Sequence, residues 1–147
     1  MEKNDSAISQ YETKPAHTKP NKVGPLKVLL VEDNLIVQRI QTTLLSSLNC
    51  HTEIAESGEK AVEIFNPGKY DLVFMDIGLP GIQGDAAARL LREAEKNSGH
   101  YVPIIALTAH STAEINQHCM VSGIDLIVNK PLSLEQTKEV LRVFGNS

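Results

Sequence analysis

The sequence has no tryptophan, only three tyrosines, three phenylalanines and two cysteines, and no apolar run longer than six residues. Each shortage excludes something. Cys50 and Cys119 cannot staple a small secreted scaffold, so the core must hold the fold, and both are expected to be packed thiols in a reducing compartment. A membrane-crossing helix needs about 20 consecutive apolar residues and a secretory leader needs an apolar stretch near its start, and neither pattern occurs. A cytoplasmic location follows as the expectation, either for the whole protein or for the cytoplasmic part of a membrane-anchored one. Lysine and arginine total 14 against 18 acids, and they form no block. No direct nucleic-acid contact and no membrane contact are therefore expected. What remains is ample for one domain: 147 residues, of which 41% are apolar.

The chain divides in two. Residues 1–25 hold three of the seven prolines and only six apolar residues, too few to order themselves, and are expected to form a disordered tail or linker. The tail's four lysines and three acids leave ten basic and fifteen acidic residues in the body, a balance of -5 over residues 26–147. The body shows short runs rich in Val, Ile and Leu: Leu26 to Val31, Asp71 to Met75, Val102 to Leu107 and Asp125 to Val128. Continuous apolarity means burial on both faces, the mark of parallel strands covered by helices. His51 to Ala55 alternates instead, as an edge strand does.

Segments of helical period lie between the runs. The expected buried stripes are Val37, Ile40, Leu44 and Leu48, then Ala61 and Phe65, then Ala87, Leu90, Leu91 and Ala94. Asn34 and Ser57 are expected N-caps. Ser111 with Glu114, and Ser133 with Gln136, have capping-box spacing, and Gly123 and Gly145 stand where helical patterns stop. Five βα units joined by right-handed crossovers give a doubly wound, five-stranded parallel sheet with five helices.

In such sheets the working crevice lies beyond the carboxyl ends of the strands. There the sequence delivers Glu32-Asp33 after the first strand, Asp76 at the third, Thr108-Ala109 at the fourth and Lys130-Pro131 after the fifth. Three carboxylates in one crevice repel, and a ligand set of oxygens without Cys or His points to a hard divalent cation, Mg²⁺ or Mn²⁺. With such an ion bound, Asp76 becomes a competent nucleophile toward phosphorus. The histidines His51, His100, His110 and His118 lack metal-ligand spacing, and Gly78, Gly81 and Gly84 are not followed by the Lys-Ser/Thr of a P-loop.

The pieces Val-Glu-Asp-Asn at 31–34, Met-Asp-Ile-Gly-Leu-Pro-Gly at 75–81, Leu-Thr-Ala at 107–109 and Lys-Pro at 130–131 resemble, in order and position, the response-regulator receiver domains of two-component signalling. The likeness runs from about Leu26 to Phe144 and is greatest to receivers of hybrid sensor histidine kinases. It implies the strand order 2-1-3-4-5. It implies that Asp76 accepts a phosphoryl group from the phosphohistidine of a sensor kinase or a histidine phosphotransfer domain. Asp33, Asp76 and the Gly78 carbonyl would bind Mg²⁺, with Glu32 acting through water. Thr108 and the Ala109 N–H would contact phosphoryl oxygens, and Lys130, before a cis proline bond, would pair with another. Receivers often carry an aromatic switch residue where this chain has Ile127, so the switch would rest on Thr108. Gly78 and His110 flank the acceptor and could set phosphoryl lifetime.

The same resemblance implies a homodimer contact through helix 4, strand 5 and helix 5, and no enzymatic turnover beyond the domain's own phosphorylation and dephosphorylation. If excised from a hybrid kinase, its parent would be a histidine kinase; no output segment follows the last helix, which suits that origin. Three other readings compete. An Mg²⁺-dependent aspartyl-phosphate hydrolase needs a second aspartate two residues beyond the first, where Gly78 stands. A flavodoxin-like binder would have its phosphate repelled by Glu32-Asp33. A non-phosphorylated docking module would not require the intact set of five site positions.

Overall fold

The computed structural model describes residues 24–78, 81–110 and 112–145. The expected tail up to residue 23 and Ser111 lie outside the described residues. Five parallel strands, β1 (Leu26–Val31), β2 (Cys50–Ala55), β3 (Leu72–Asp76), β4 (Ile104–Thr108) and β5 (Leu126–Asn129), form one sheet in the order β2-β1-β3-β4-β5. The helices are α1 (Leu35–Ser47), α2 (Gly58–Ile64), α3 (Gly84–Glu95), α4 (Ala113–Val121) and α5 (Leu134–Val140), the last running on into a π-helical turn at Leu141–Gly145.

Every residue of β3 and β4 is buried, as expected of strands covered on both sides. Successive side chains alternate between two cores. Leu29, Val31, Val73, Met75, Ile104, Ala106 and Ile127 pack with Ala61, Phe65, Ala87, Leu91 and Cys119 beneath α2, α3 and α4. Val28, Leu30, Leu72, Phe74, Ile105, Leu107 and Val128 pack with Leu45, Val140 and Phe144 beneath α1 and α5. Burying each of the larger side chains contributes about 1.5–3 kcal/mol. The register pairs Val31 with Met75, Asp76 with Leu107, and Thr108 with Asn129, so the strands reach a common edge at their carboxyl ends.

Short polar side chains start the helices. Asn34 Oδ1 accepts the N–H groups of Ile36 and Val37 at 2.9 and 3.0 Å, and Ser57 Oγ accepts that of Lys60 at 3.0 Å. The Ser133–Gln136 capping box forms in both directions. The α4 cap is Thr112, whose Oγ1 accepts Ile115 N–H at 3.1 Å, so this helix begins one residue later than the Ser111–Glu114 spacing suggests. Gly123 takes a left-handed φ of +99° after α4, whereas Gly145 lies within the last turn and has no such φ.

Two apolar stripes are turned differently from expectation. On α1 the buried residues are Gln38, Gln41 and Leu45; Val37, Leu44 and Leu48 are half-buried and Ile40 is exposed. Gln38 is drawn inward because its Nε2 donates to the Glu32 carbonyl at 2.7 Å, which rotates the apolar stripe outward. On α3, Leu90 and Ala94 face outward while Ala88 and Glu95 are buried.

Glu95 is buried because it belongs to a polar hub at the amino ends of β4 and β5. Arg92 donates to Glu95 Oε1 (2.7 Å), the Val102 carbonyl (2.8 Å), the Gly123 carbonyl (3.0 and 2.8 Å) and Asp125 Oδ2 (2.8 Å). Its guanidinium also stacks 3.9 Å from the centre of the Tyr101 ring. Glu95 accepts Val102 N–H at 2.6 Å, Asp125 accepts Ile104 N–H at 2.9 Å, and the Tyr101 hydroxyl donates to Asp125. One side chain thereby ties α3, the β3–β4 connection and the α4–β5 turn together. Arg92→Leu leaves two buried carboxylates without their cation and is expected to cost about 3 kcal/mol in urea unfolding. A loss below a few tenths would show that the backbone donors alone satisfy Glu95 and Asp125.

Candidate functional site

The strand edge brings together residues distant in sequence. Glu32 and Asp33 follow β1 directly, and Asp76 is the last residue of β3. One carboxylate oxygen from each of the three lies within 4.8 Å of the others. Glu32 and Asp76 are buried, at 1% and 5% exposure, while Asp33 is open to solvent. Lys130 follows β5, its position fixed by its own N–H donating to the Thr108 carbonyl at 2.8 Å, and its bond to Pro131 is cis. Its Nζ donates to Asp76 Oδ2 at 3.0 Å and lies 3.8 Å from Glu32 Oε1.

Main-chain donors share the load. Asp76 Oδ1 accepts Gly78 N–H at 2.9 Å, and Glu32 Oε2 accepts Asn34 N–H at 3.1 Å. Glu32 Oε1 is buried and has no hydrogen-bond donor among the described residues. Burial therefore holds the Glu32 carboxyl above the usual carboxylate range, with Asp76 and Asp33 pushing the same way and the Asn34 N–H and Lys130 opposing. Three carboxylates and one ammonium leave a formal charge of -2. An orphaned buried oxygen and an all-oxygen donor set at that charge fit a hard divalent cation.

Thr108 closes β4 and is buried. Its hydroxyl donates to the His110 carbonyl at 2.8 Å and accepts His110 N–H at 3.2 Å, so it is held by the loop that precedes α4. Ala109 stands beside it on the wall of a cavity of about 730 Å³ that Asp76, Thr108 and Lys130 share with Ile115 and Cys119. Burial pushes the Cys119 and Cys50 thiols up to about 11, which keeps them protonated, as expected of packed thiols. Ile127 is 1% exposed and lies among the core residues beneath α4. The structure thus gathers Glu32, Asp33, Asp76, Gly78, Thr108, Ala109 and Lys130 at one edge and sets Ile127 below it.

Reading apolar spacing alone missed that α1 shows an apolar face beside this edge. Leu35 and Ile36 are each 69% exposed and Ile40 is 61% exposed. The signal was present in Gln38 and Gln41, polar residues at the spacing of a buried stripe.

The family model of the response regulator receiver domain matches residues 28–142. The chain is 38% identical over 130 residues to probable histidine kinase 2 of Oryza sativa subsp. japonica, which covers 79% of this chain and 12% of that kinase. It spans less than a fifth of the length of the curated relatives it matches first. Among solved structures it resembles the receiver domain of the sensor histidine kinase PA1611 from Pseudomonas aeruginosa PAO1, which has a magnesium ion coordinated in its active site cleft. There the TM-score is 0.73 at 31% identity, over 84% of this chain and 100% of that one. A co-crystal structure of the Saccharomyces cerevisiae histidine phosphotransfer protein Ypd1 with the receiver domain of the response regulator Ssk1 matches with a TM-score of 0.73 at 34% identity, over 84% of this chain and 92% of the matched one.

The raised Glu32 carboxyl generates a signed expectation. The folded state holds this proton more tightly than the unfolded chain, so the group's favourable contribution is complete below its ordinary value of 4.5 and is lost as pH rises through the higher folded value. At pH 7 without divalent cation, Glu32→Gln should therefore melt above wild type, and the gap should close below pH 4.5. Saturating Mg²⁺ should raise the wild-type melting temperature more than the variant's. Equal melting temperatures throughout would mean that the Glu32 charge is already compensated.

Proposed function

Because the chain belongs to the response regulator receiver domain family, we propose that Asp76 is its phosphoacceptor and takes the phosphoryl group from a phosphohistidine. The observation that carries this assignment is the buried Asp76 carboxylate, held between Lys130 Nζ at 3.0 Å and Gly78 N–H at 2.9 Å, beside two further carboxylates. In the transfer an Asp76 oxygen forms the new O–P bond, the N–P bond of the donor breaks, and the imidazole leaves with the bonding pair. Most of what such a transfer needs from a protein is positioning and charge compensation.

Asp33, Asp76 and the Gly78 carbonyl would hold Mg²⁺, with Glu32 acting through water. The ion would supply the charge that lets a carboxylate approach phosphoryl oxygens. Lys130, now on Asp76 Oδ2, is placed to pass to a phosphoryl oxygen once Asp76 becomes an acyl phosphate, a mixed anhydride. Thr108 has to release the His110 carbonyl to donate its proton to another, and the Ala109 N–H supplies a further donor. That exchange of partners is the switch: it frees the loop leading into α4. With Ile127 buried and without a polar tip, no aromatic rotation accompanies it.

The donor is proposed to be a histidine phosphotransfer domain or the histidine domain of a sensor kinase. The exposed Leu35, Ile36 and Ile40 on α1, which starts directly beyond Asp33 and Asn34, support docking of an apolar helical surface across the site. The Ssk1 receiver, in complex with a histidine phosphotransfer protein, supports the same kind of partner. Val121 and Leu134, also exposed, support a second contact between copies of the chain through α4, β5 and α5.

Wild type and Asp76→Asn, each incubated with Mg²⁺ and acetyl phosphate or phosphoramidate, should differ in intact mass by one phosphoryl group, present on wild type alone. Labelling of Asp76→Asn would move the acceptor elsewhere. If neither protein is labelled and beryllofluoride does not bind wild type either, the docking-module reading takes over.

A further inference from the structure

β3 ends at Asp76, and a limb from Gly81 brings the chain back to α3, which begins at Gly84. The returning limb is gripped from the start of α2. Glu59 Oε2 accepts Ile82 N–H at 3.1 Å, and its carboxylate lies over Gly81, where a Cβ would come within 2.6 Å of Oε2. Gly58 lies against Ile82 so closely that a Cβ there would meet Cγ1 at 2.7 Å and the carbonyl oxygen at 3.1 Å. The limb then reaches Asp76 itself, because a Cβ on Gly84 would stand 2.8 Å from the Asp76 carbonyl oxygen and 2.6 Å from Ile77 Cα. Contact therefore runs without slack from α2 through Ile82 and Gly84 to the backbone of the acceptor.

Glu59 is exposed and contributes nothing to either core. Its hydrogen bond joins two segments 23 residues apart at the rim of the site. A carboxylate accepting a main-chain N–H makes the stronger, charge-assisted kind of hydrogen bond, and here it fixes the limb that leads into Gly84.

We infer that Glu59 is a positioning residue for phosphoryl acceptance, a role that rests on Asp76 being the phosphoacceptor. By holding Ile82, Glu59 sets the start of α3, whose Gly84 packs against the Asp76 carbonyl and against Ile77, the residue before Gly78, and so the affinity of the site for its divalent cation. It touches neither the cation nor the phosphoryl group.

The experiment measures the rate of phosphorylation by acetyl phosphate as a function of Mg²⁺ for wild type, Glu59→Ala and Glu59→Gln, with melting temperatures alongside and Asp76→Asn as the unlabelled control. Glu59→Ala should need about three- to tenfold more Mg²⁺ for half-maximal rate, the scale of one lost hydrogen bond, while approaching the wild-type rate at saturation and keeping its melting temperature. Glu59→Gln keeps an acceptor oxygen and should recover most of the shift. A wild-type Mg²⁺ dependence in Glu59→Ala overturns the role, as does a glutamine variant no better than alanine. Labelling of Asp76→Asn, or none of wild type, overturns the acceptor assignment first and the positioning role with it.

Discussion

Three carboxylates within 4.8 Å of one another, two of them buried, are a standing source of repulsion that the fold has to restrain. At an effective dielectric near 20, each pair at that separation repels by roughly 3 kcal/mol. The parallel register decides that they meet at all, because it carries the ends of β1 and β3 to one edge. What surrounds them is donor-rich: the Lys130 ammonium, the Asn34 N–H at the head of α1 and the Gly78 N–H beyond β3. These donors satisfy three carboxylate oxygens and leave Glu32 Oε1 buried and unmet. A protein that evolved only to be stable would bury hydrophobic residues here. Retaining the cluster makes sense if a cation and a phosphoryl group complete it.

The opposite end of the sheet makes the contrast. Glu95 and Asp125 are as buried as Asp76, yet every oxygen there meets Arg92, Tyr101 or a main-chain N–H. That hub is closed and therefore structural, whereas the acidic edge is open and therefore chemical. α4 lies between the two. Arg92 fixes its far end through the Gly123 carbonyl, while its start follows the loop held by the Thr108 hydroxyl. If Thr108 changes partner on phosphorylation, as proposed, the change acts at the end of α4 that Arg92 does not anchor.

The sheet was legible in the sequence because strands covered on both faces leave near-continuous apolar runs, and the crevice rule then located Glu32, Asp33, Asp76, Thr108 and Lys130 at strand ends. Helix facing was harder to read. On α1 the apolar spacing of Val37, Ile40, Leu44 and Leu48 is regular, but a single bond from Gln38 to the Glu32 carbonyl turns that stripe away from the core. On α3 the burial of Glu95 depends on Arg92 and on Val102, a pairing that periodicity does not register. Glu59 was unreadable for the same reason, since its partner Ile82 is brought to it only by the packing of α2 on α3. Spacing reveals what a segment does with its own neighbours; contacts made across the fold, by polar side chains to backbone, leave no period.

Ile127 shows how far a local substitution reaches in such a fold. A switch that couples a threonine to an aromatic ring has two moving parts, one at the site and one under α4. Here the second position holds a buried aliphatic packed among the residues beneath α4, including Cys119 and Ile124. Moving it would open a void in a close-packed layer, which costs energy without exposing any polar group in return. If Thr108 is the switch, as proposed, the signal leaves through its contact with His110, beside a cavity of about 730 Å³.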